Sequence, residues 1–104
     1  MHIPTIKYES ESQFRMAMDK NAYDIHMRTL YGIKEALRIK EDYVTIAYLE
    51  TDDHHAELGA PIDIWPDNLE KSLEYFEEIE EYKRCQEVVD LIKRLKSDID
   101  ICED

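Results

Sequence analysis

The residues from Asp67 to about Lys96, DNLEKSLEYFEEIEEYKRCQEVVDLIKRLK, carry apolar stripes that no straight helix can bury against one neighbour. Leu69, Leu73 and Phe76, with Ile79 beside them, recur at helical spacing. Val88, Ile92, Leu95 and Ile99 do so again further on, but at about 100° per residue this second stripe is rotated by roughly a third of a turn from the first. The phase slip predicts a kink or tight turn within Glu80-Glu81-Tyr82-Lys83 and two helices packed as a hairpin. One long helix whose halves touch different neighbours satisfies the same pattern. Asp67 followed three residues later by Glu70, with Pro66 just ahead, has the form of a capping box, so the helix is expected to start there.

The rest of the chain is read as the cover for that apolar side. Two Gly and three Pro in 104 residues leave little material for turns and favour helices over a many-stranded sheet. Ser10 with Gln13, or Ser12, supplies an N-cap, and helix is expected from there to about Ile39. Phe14, Met18, Ala22, Ile25, Ile33, Ala36 and Leu37 form its core-facing stripe, with His26 and Leu30 on the margin. Residues 2 to 8, with Ile3, Thr5, Ile6 and Tyr8, carry an edge-strand signal. Tyr43 to Leu49 is a short apolar run whose β-branched and aromatic content favours a strand, paired with 2 to 8 or 62 to 65, while a helix continuing the earlier stripe fits its periodicity too. Thr51 to His55, closed by Gly59-Ala60-Pro61, reads as an exposed loop, and Ile62, Ile64 and Trp65 return to the core. Beyond Ser97 the acidic tail is expected to fray.

The resulting expectation is one small, mainly α domain spanning residues 1 to 104. A long N-terminal helix packs on a C-terminal hairpin or kinked helix, with a minor two- or three-stranded β element. A domain this size buries only about two thirds of the surface its unfolded chain exposes, so a homodimer would help it. No apolar run approaches the length of a bilayer span or signal-peptide core, which points to a soluble cytoplasmic protein. Cys85 and Cys102 form no C-x-x-C pair and are read as reduced thiols.

Charge separates the functional classes. The net charge is -12, so the surface repels phosphate, and direct binding of nucleic acid or anionic membrane is not expected. Residues 1 to 40 hold seven Lys or Arg against five acids, residues 41 to 66 seven acids and no base, and residues 67 to 104 thirteen acids against six bases. Either this is a solvated face that keeps a small protein soluble, or it complements a basic groove on another protein. The acids singled out for such a partner are Glu70, Glu74, Glu77, Glu78, Glu80 and Glu81, helped by Asp52, Asp53 and Asp63.

A second surface lies on the first helix. Met16, Tyr23, Met27 and Tyr31 project roughly opposite its core stripe, with the last three at i, i+4 and i+8. A helix apolar on two sides is either central in its own domain or holds a partner, and Tyr and Met suit a homodimer or target interface. Gly32 inside this helix suggests close approach of another backbone.

Catalytic chemistry finds little support. Asp52, Asp53, His54, His55 and Glu57 are metal-capable, but adjacent histidines rarely aim at one ion and nothing at ligand spacing completes the set, so no metal or cofactor is expected. Neither cysteine nor any serine sits in a nucleophile elbow. The Glu77 to Glu81 carboxylates are solvent-facing by default.

Two resemblances attach to the C-terminal region. LEKSLEYFEEIEEYKRCQEVVDLIKRL resembles the helix, short turn, helix of tetratricopeptide-type or UvrB/UvrC-motif hairpins, with an acid and Tyr82 marking the turn and Cys85 packing early in the second helix. That implies a local hairpin and a partner-binding role. IDIWPDNLEKSLEYFEEIEEY, residues 62 to 82, is similar to the acidic C-terminal part of the restriction-inhibiting DNA-mimic proteins of podophages. That family is a helical dimer whose carboxylates imitate duplex phosphates and occupy the DNA groove of restriction enzymes. The resemblance therefore implies an anti-restriction inhibitor from a phage-like source. The basic-leaning first helix, the lower overall charge density and the Lys83-Arg84 pair depart from that family's pattern.

Overall fold

The computed structural model describes the chain over residues 2 to 103 and its side chains over residues 2 to 97. The described chain is mainly helical, with four α-helices and a small three-stranded sheet, and divides into two compact units, Met1–Ile62 and Asp63–Asp104.

The first unit runs β1 (Thr5–Lys7), α1 (Glu11–Lys20), α2 (Ala22–Ile39), β2 (Tyr43–Glu50) and β3 (His55–Pro61). Strand β2 is central. It pairs in parallel with β1, Ile6 facing Leu49, and parallel neighbours need a long crossover, here supplied by α1 and α2. On its other side it pairs antiparallel with β3, from Tyr43 opposite Pro61 to Glu50 opposite His55. A register shift between Thr45 and Ala47 inserts Ile46 as an extra residue. This irregularity lets Ile46 and Ala47, consecutive in sequence, both be buried, which strict alternation would forbid.

Helix α2 packs on β2 through its smallest residue. A Cβ on Gly32 would stand 2.6 Å from Cγ1 of Val44, so only glycine lets the helix come this near the strand. The buried residues of the unit include Ile6, Ile25, Leu30, Ile33, Ala36, Val44, Ile46, Ala47 and Ala60. Each of the larger aliphatic side chains contributes about 1.5–3 kcal/mol by leaving water. Ser10 caps α1: its Oγ accepts from the Gln13 N–H at 3.2 Å, while Gln13 Oε1 accepts from the Glu9 N–H at 2.8 Å. Lys40 ends α2 in the left-handed region, φ 62°, with the Glu41 N–H donating to the Ala36 carbonyl at 2.8 Å.

The second unit is a helix pair. After a 3-10 turn at Ile62–Ile64, α3 (Trp65–Glu78) and α4 (Tyr82–Glu103) pack on each other. Trp65, Leu69, Ser72 and Phe76 are the buried side of α3, and Val88, Leu91, Ile92 and Leu95 that of α4. The connection Ile79-Glu80-Glu81 is a Schellman turn. Glu81 N–H donates to Phe76 O at 2.9 Å and Glu80 N–H to Glu77 O at 3.1 Å, with Glu80 at φ 59°. Both acceptors are carbonyls that the end of α3 would otherwise leave without partners.

Several expectations are corrected. The single helix to Ile39 is two, because Asn21 takes φ -101° and ψ 11° and its Nδ2 donates to the Ala17 carbonyl at 2.7 Å, bending the chain there. Leu30 is fully buried instead of marginal. Residues 55 to 61 are strand β3, held by main-chain pairing to β2 that their loop-like composition does not reveal. Ile62 and Ile64 are 47% and 38% exposed, so only Trp65 of that group is in the core. Helix α3 begins at Trp65, with Ile64 at the cap position and Pro66 in the first turn, which leaves Asp67 inside the helix as a first-turn acid and not as its cap. The turn into α4 lies at residues 79 to 81, overlapping the expected 80 to 83 window at Glu80 and Glu81, with Tyr82 and Lys83 already in the helix. The side chains of Ile99 and Cys102, and those of the tail expected to fray, lie outside the described residues.

Candidate partner-binding surfaces

Helix α3 turns its acids to solvent. Its buried side occupies one arc, and Asp67, Glu70, Glu74, Glu77 and Glu78 fall together within about 100° of the opposite arc, all exposed. Glu70, Glu74 and Glu78 form a row at i, i+4 and i+8, so neighbouring carboxylates repel one another. Lys71 stands at the margin of this stripe. The turn adds Glu80, exposed, and Glu81, half-buried. Among the described residues, Glu70, Glu74, Glu77 and Glu78 join no ion pair. Beyond Lys71, the next bases in sequence are on α4, where Arg84 Nη1 meets Glu87 at 3.0 Å.

The remaining acids of the expected set are placed elsewhere. Asp63 belongs to the 3-10 turn ahead of α3, whereas Asp52 and Asp53 are the exposed tip of the β2-β3 hairpin in the first unit. That tip is closed by the Thr51 N–H donating to His54 O at 2.9 Å and the His54 N–H donating to Thr51 Oγ1 at 3.0 Å. Parallel pairing of β1 with β2 brings Glu9 beside Asp52, and desolvation followed by the Asp52 charge raises the Glu9 carboxyl above its ordinary range. Sequence reading missed this pair because its members are 43 positions apart and meet only once the parallel register is known. His55 Nδ1 lies 3.9 Å from Glu50, and among the described residues no group of three or more His, Cys, Asp or Glu side chains is arranged to hold a metal ion.

The Tyr and Met face divides at the Asn21 bend. Met16, 72% exposed, is on α1, and Tyr23, Met27 and Tyr31 are on α2. Tyr23 is 40% exposed and the other two are half-buried. Bases interleave with them, a feature that charge counting by segment does not resolve. Lys34 Nζ stands 5.2 Å from the Tyr31 ring centre, a cation-π contact. Arg28, Tyr31, Lys34, Glu35 and Arg38 line one shallow groove. Arg28 Nε donates to the Thr45 carbonyl of β2 at 2.8 Å, which fixes its side chain. Arg38 Nε donates to Glu35 at 2.9 Å, and this bond holds the Glu35 carboxyl below its ordinary range.

Of the two cysteines, Cys85 is a half-buried free thiol, pushed upward by desolvation and then by Glu77, with Glu81 adding to the effect. Such a thiol is a poor nucleophile. No helix among the described residues is long and apolar enough to cross a membrane. Comparison with known proteins gives no match to a family model, to a curated protein or to a solved structure.

Proposed function

We propose that this chain is a non-enzymatic, cytoplasmic binding protein that inhibits or regulates a nucleic-acid-handling protein by offering the α3 carboxylates to a basic groove. The observation that carries the reading is the stripe from Asp67 to Glu78, which joins no base among the described residues. Eleven helical steps span about 16 Å, so the five carboxylates average about 4 Å apart along the axis, in unequal steps of about 1.5 to 6 Å, a mean density near the roughly 3.4 Å per phosphate of one DNA strand. Glu80 and Glu81 extend the array, and Asp52, Asp53 and Asp63 are auxiliary acids. A groove shaped for a phosphate row recognises this spacing and charge without sequence-specific contacts.

Capture from cell extract tests the reading when run with the native chain and with Glu74, Glu77, Glu78, Glu80 and Glu81 changed to Gln. The native chain should retain a DNA- or RNA-handling protein that added duplex DNA releases, and retention should fall steeply with salt. Retention of the same basic partner by both versions, with circular dichroism showing both folded, would exclude carboxylate mimicry.

A further inference from the structure

We infer that the outer edge of β3 is a self-association site, where the same strand of a second copy adds antiparallel and joins two three-stranded sheets into one. The two edges of the sheet are not alike. Strand β1 is three residues long, follows Pro4, carries Lys7 and has α1 packed beside it, all features that blunt an edge. Strand β3 is seven residues long, carries no Lys or Arg, and has its single Pro at its last position. The bulge that would twist an edge away from partners lies on β2, where Ile46 is the extra residue.

Backbone alternation fixes which groups this edge offers. The His54 carbonyl accepts from the Thr51 N–H and the Ile62 N–H donates to the Asp42 carbonyl, so even-numbered residues at both ends of β3 bond toward β2. With no extra residue on β3 between them, Ala56, Leu58 and Ala60 do the same. The main-chain groups of His55, Glu57 and Gly59 and the Pro61 carbonyl therefore point away from β2, to a side where no strand lies among the described residues. His55, Glu57 and Pro61 are exposed. The one carboxylate of β3 does not block this side, because Thr45 Oγ1 donates to Glu57 and draws it over β2.

The occupant is a second copy because the strand complements itself. A two-fold axis at Leu58 sets Glu57 opposite Gly59 of the second copy and His55 opposite Pro61, overlapping the whole of β3. That register makes about six main-chain hydrogen bonds, Pro61 being the position that lacks a donor. No acid stands directly opposite another, since Glu57 meets a glycine. Leu58 shares a face with Ala60, which lies opposite Val44 beneath Gly32 of α2. Half-buried in one chain, it meets its own copy across the axis and completes its burial there. An axis at Ala56 would overlap only residues 55 to 57 and draw the Asp52-Asp53 tip into the pairing. The inference uses none of the α3 acids. Two chains of net charge -12 repel, so salt strengthens this association, the reverse of its effect on a carboxylate stripe in a basic groove.

Sedimentation equilibrium of the purified full chain tests it. Monomer and dimer should be in equilibrium, with an association constant that rises about threefold or more between about 0.05 M and about 0.5 M salt. Glu57→Pro deletes an outward N–H and spares the bonds to β2, so it should weaken association about tenfold or more. Leu58→Lys should do the same by placing like charges at the axis, and it carries the test alone should the proline variant fail to fold by circular dichroism. Leu58→Cys, combined with Cys85→Ser and Cys102→Ser, should oxidise to a cross-linked dimer, because the two positions face each other with Cα atoms about 4.5 Å apart. Ala56→Cys in the same background should not. A native chain that is monomeric at every concentration and salt, association unchanged by Leu58→Lys, or cross-linking at position 56 in place of 58 overturns the inference. A monomeric native chain that still captures its partner from extract would sink self-association alone, and a dimer that captures nothing would sink only the proposed function.

Discussion

The Tyr43 ring lies across the backbone of Gly59 on the neighbouring strand, so close that a Cβ at position 59 would stand 1.6 Å from its hydroxyl oxygen and 2.2 Å from Cζ. Gly59 pairs with Thr45, two residues along β2 from Tyr43, so the ring reaches diagonally over the bare position. Beside it, Thr45 Oγ1 donates to the Glu57 carboxylate. Gly59 does not have a positive φ, so what reserves this position for glycine is the ring and not the backbone.

Gly59→Ala should therefore expel the Tyr43 ring toward solvent, where 47% of the residue is already exposed. The cost should be about 1 kcal/mol, the scale of a displaced rotamer plus a lost contact. In a Tyr43→Ala background the same change should be neutral or stabilising by about 0.5 kcal/mol, since a strand interior favours Ala over Gly. Urea denaturation of the four proteins reads the coupling. Additive effects would show that the ring does not depend on the glycine.

Glu80 makes the α3-α4 turn at φ 59°, a conformation that costs a residue with a Cβ about 1–2 kcal/mol. Glu80→Gly should raise the stability of the helix pair by about 1 kcal/mol, once the greater chain entropy of unfolded Gly offsets part of the gain. Thermal unfolding followed by circular dichroism measures this, and a lower midpoint in the glycine variant would contradict the assigned turn geometry.

The same turn shows what the sequence displays and what it hides. The phase slip between Phe76 and Val88 is periodic information, and apolar periodicity reports burial directly. The left-handed residue is hidden, because the usual glycine signal is absent and Glu80 occupies the position. Strand β2 is legible from Val44, Thr45, Ile46 and Tyr48, whereas β3 is not, since Glu57, Gly59 and Pro61 carry no strand preference and are held by partners. Asn21 is one polar residue in a long helical pattern, and its bond back to Ala17 cannot be inferred from spacing. On the candidate surfaces, the α3 acids are readable because they share one helix. The Glu9-Asp52 pair and the bond from Arg28 to β2 depend on chain crossings that sequence distance conceals.

His26 should make the protein acid-sensitive. Burial depresses its folded-state pKa below the ordinary 6.5, so as pH falls through that value the unfolded chain takes up a proton that the folded chain resists. The contribution of His26 is thus favourable above about pH 6.5 and is lost on acidification toward the lower folded value. Protonation of carboxylates also acts in this range, so the comparison of native chain with His26→Gln is the readout. Between about pH 7.5 and pH 5.5 the urea midpoint of the native chain should fall further than that of the variant. Equal falls would mean that the imidazole is as hydrated in the folded state as in the unfolded.

Helix α3 should be held below its attainable stability by its own acids. Glu70, Glu74 and Glu78 form two successive like-charge contacts one turn apart, each unfavourable by about 0.2–0.5 kcal/mol at low salt. Glu74→Gln removes both repulsions and should stabilise by about 0.5 kcal/mol. Glu74→Lys converts both into attractions and should stabilise by about 1 kcal/mol, the pairing with Glu70 being the better oriented because there the acid precedes the base. Both gains should shrink between about 0.02 M and about 0.5 M salt, because these side chains are exposed and screened. Urea denaturation at the two salts decides the matter. A neutral or destabilising Glu74→Lys at low salt would mean that nearby bases already compensate the row, and a row so compensated presents no phosphate-like face to a partner. A salt-dependent gain would mean that the chain keeps an arrangement costing it stability, the pattern expected where surface charge is retained for binding.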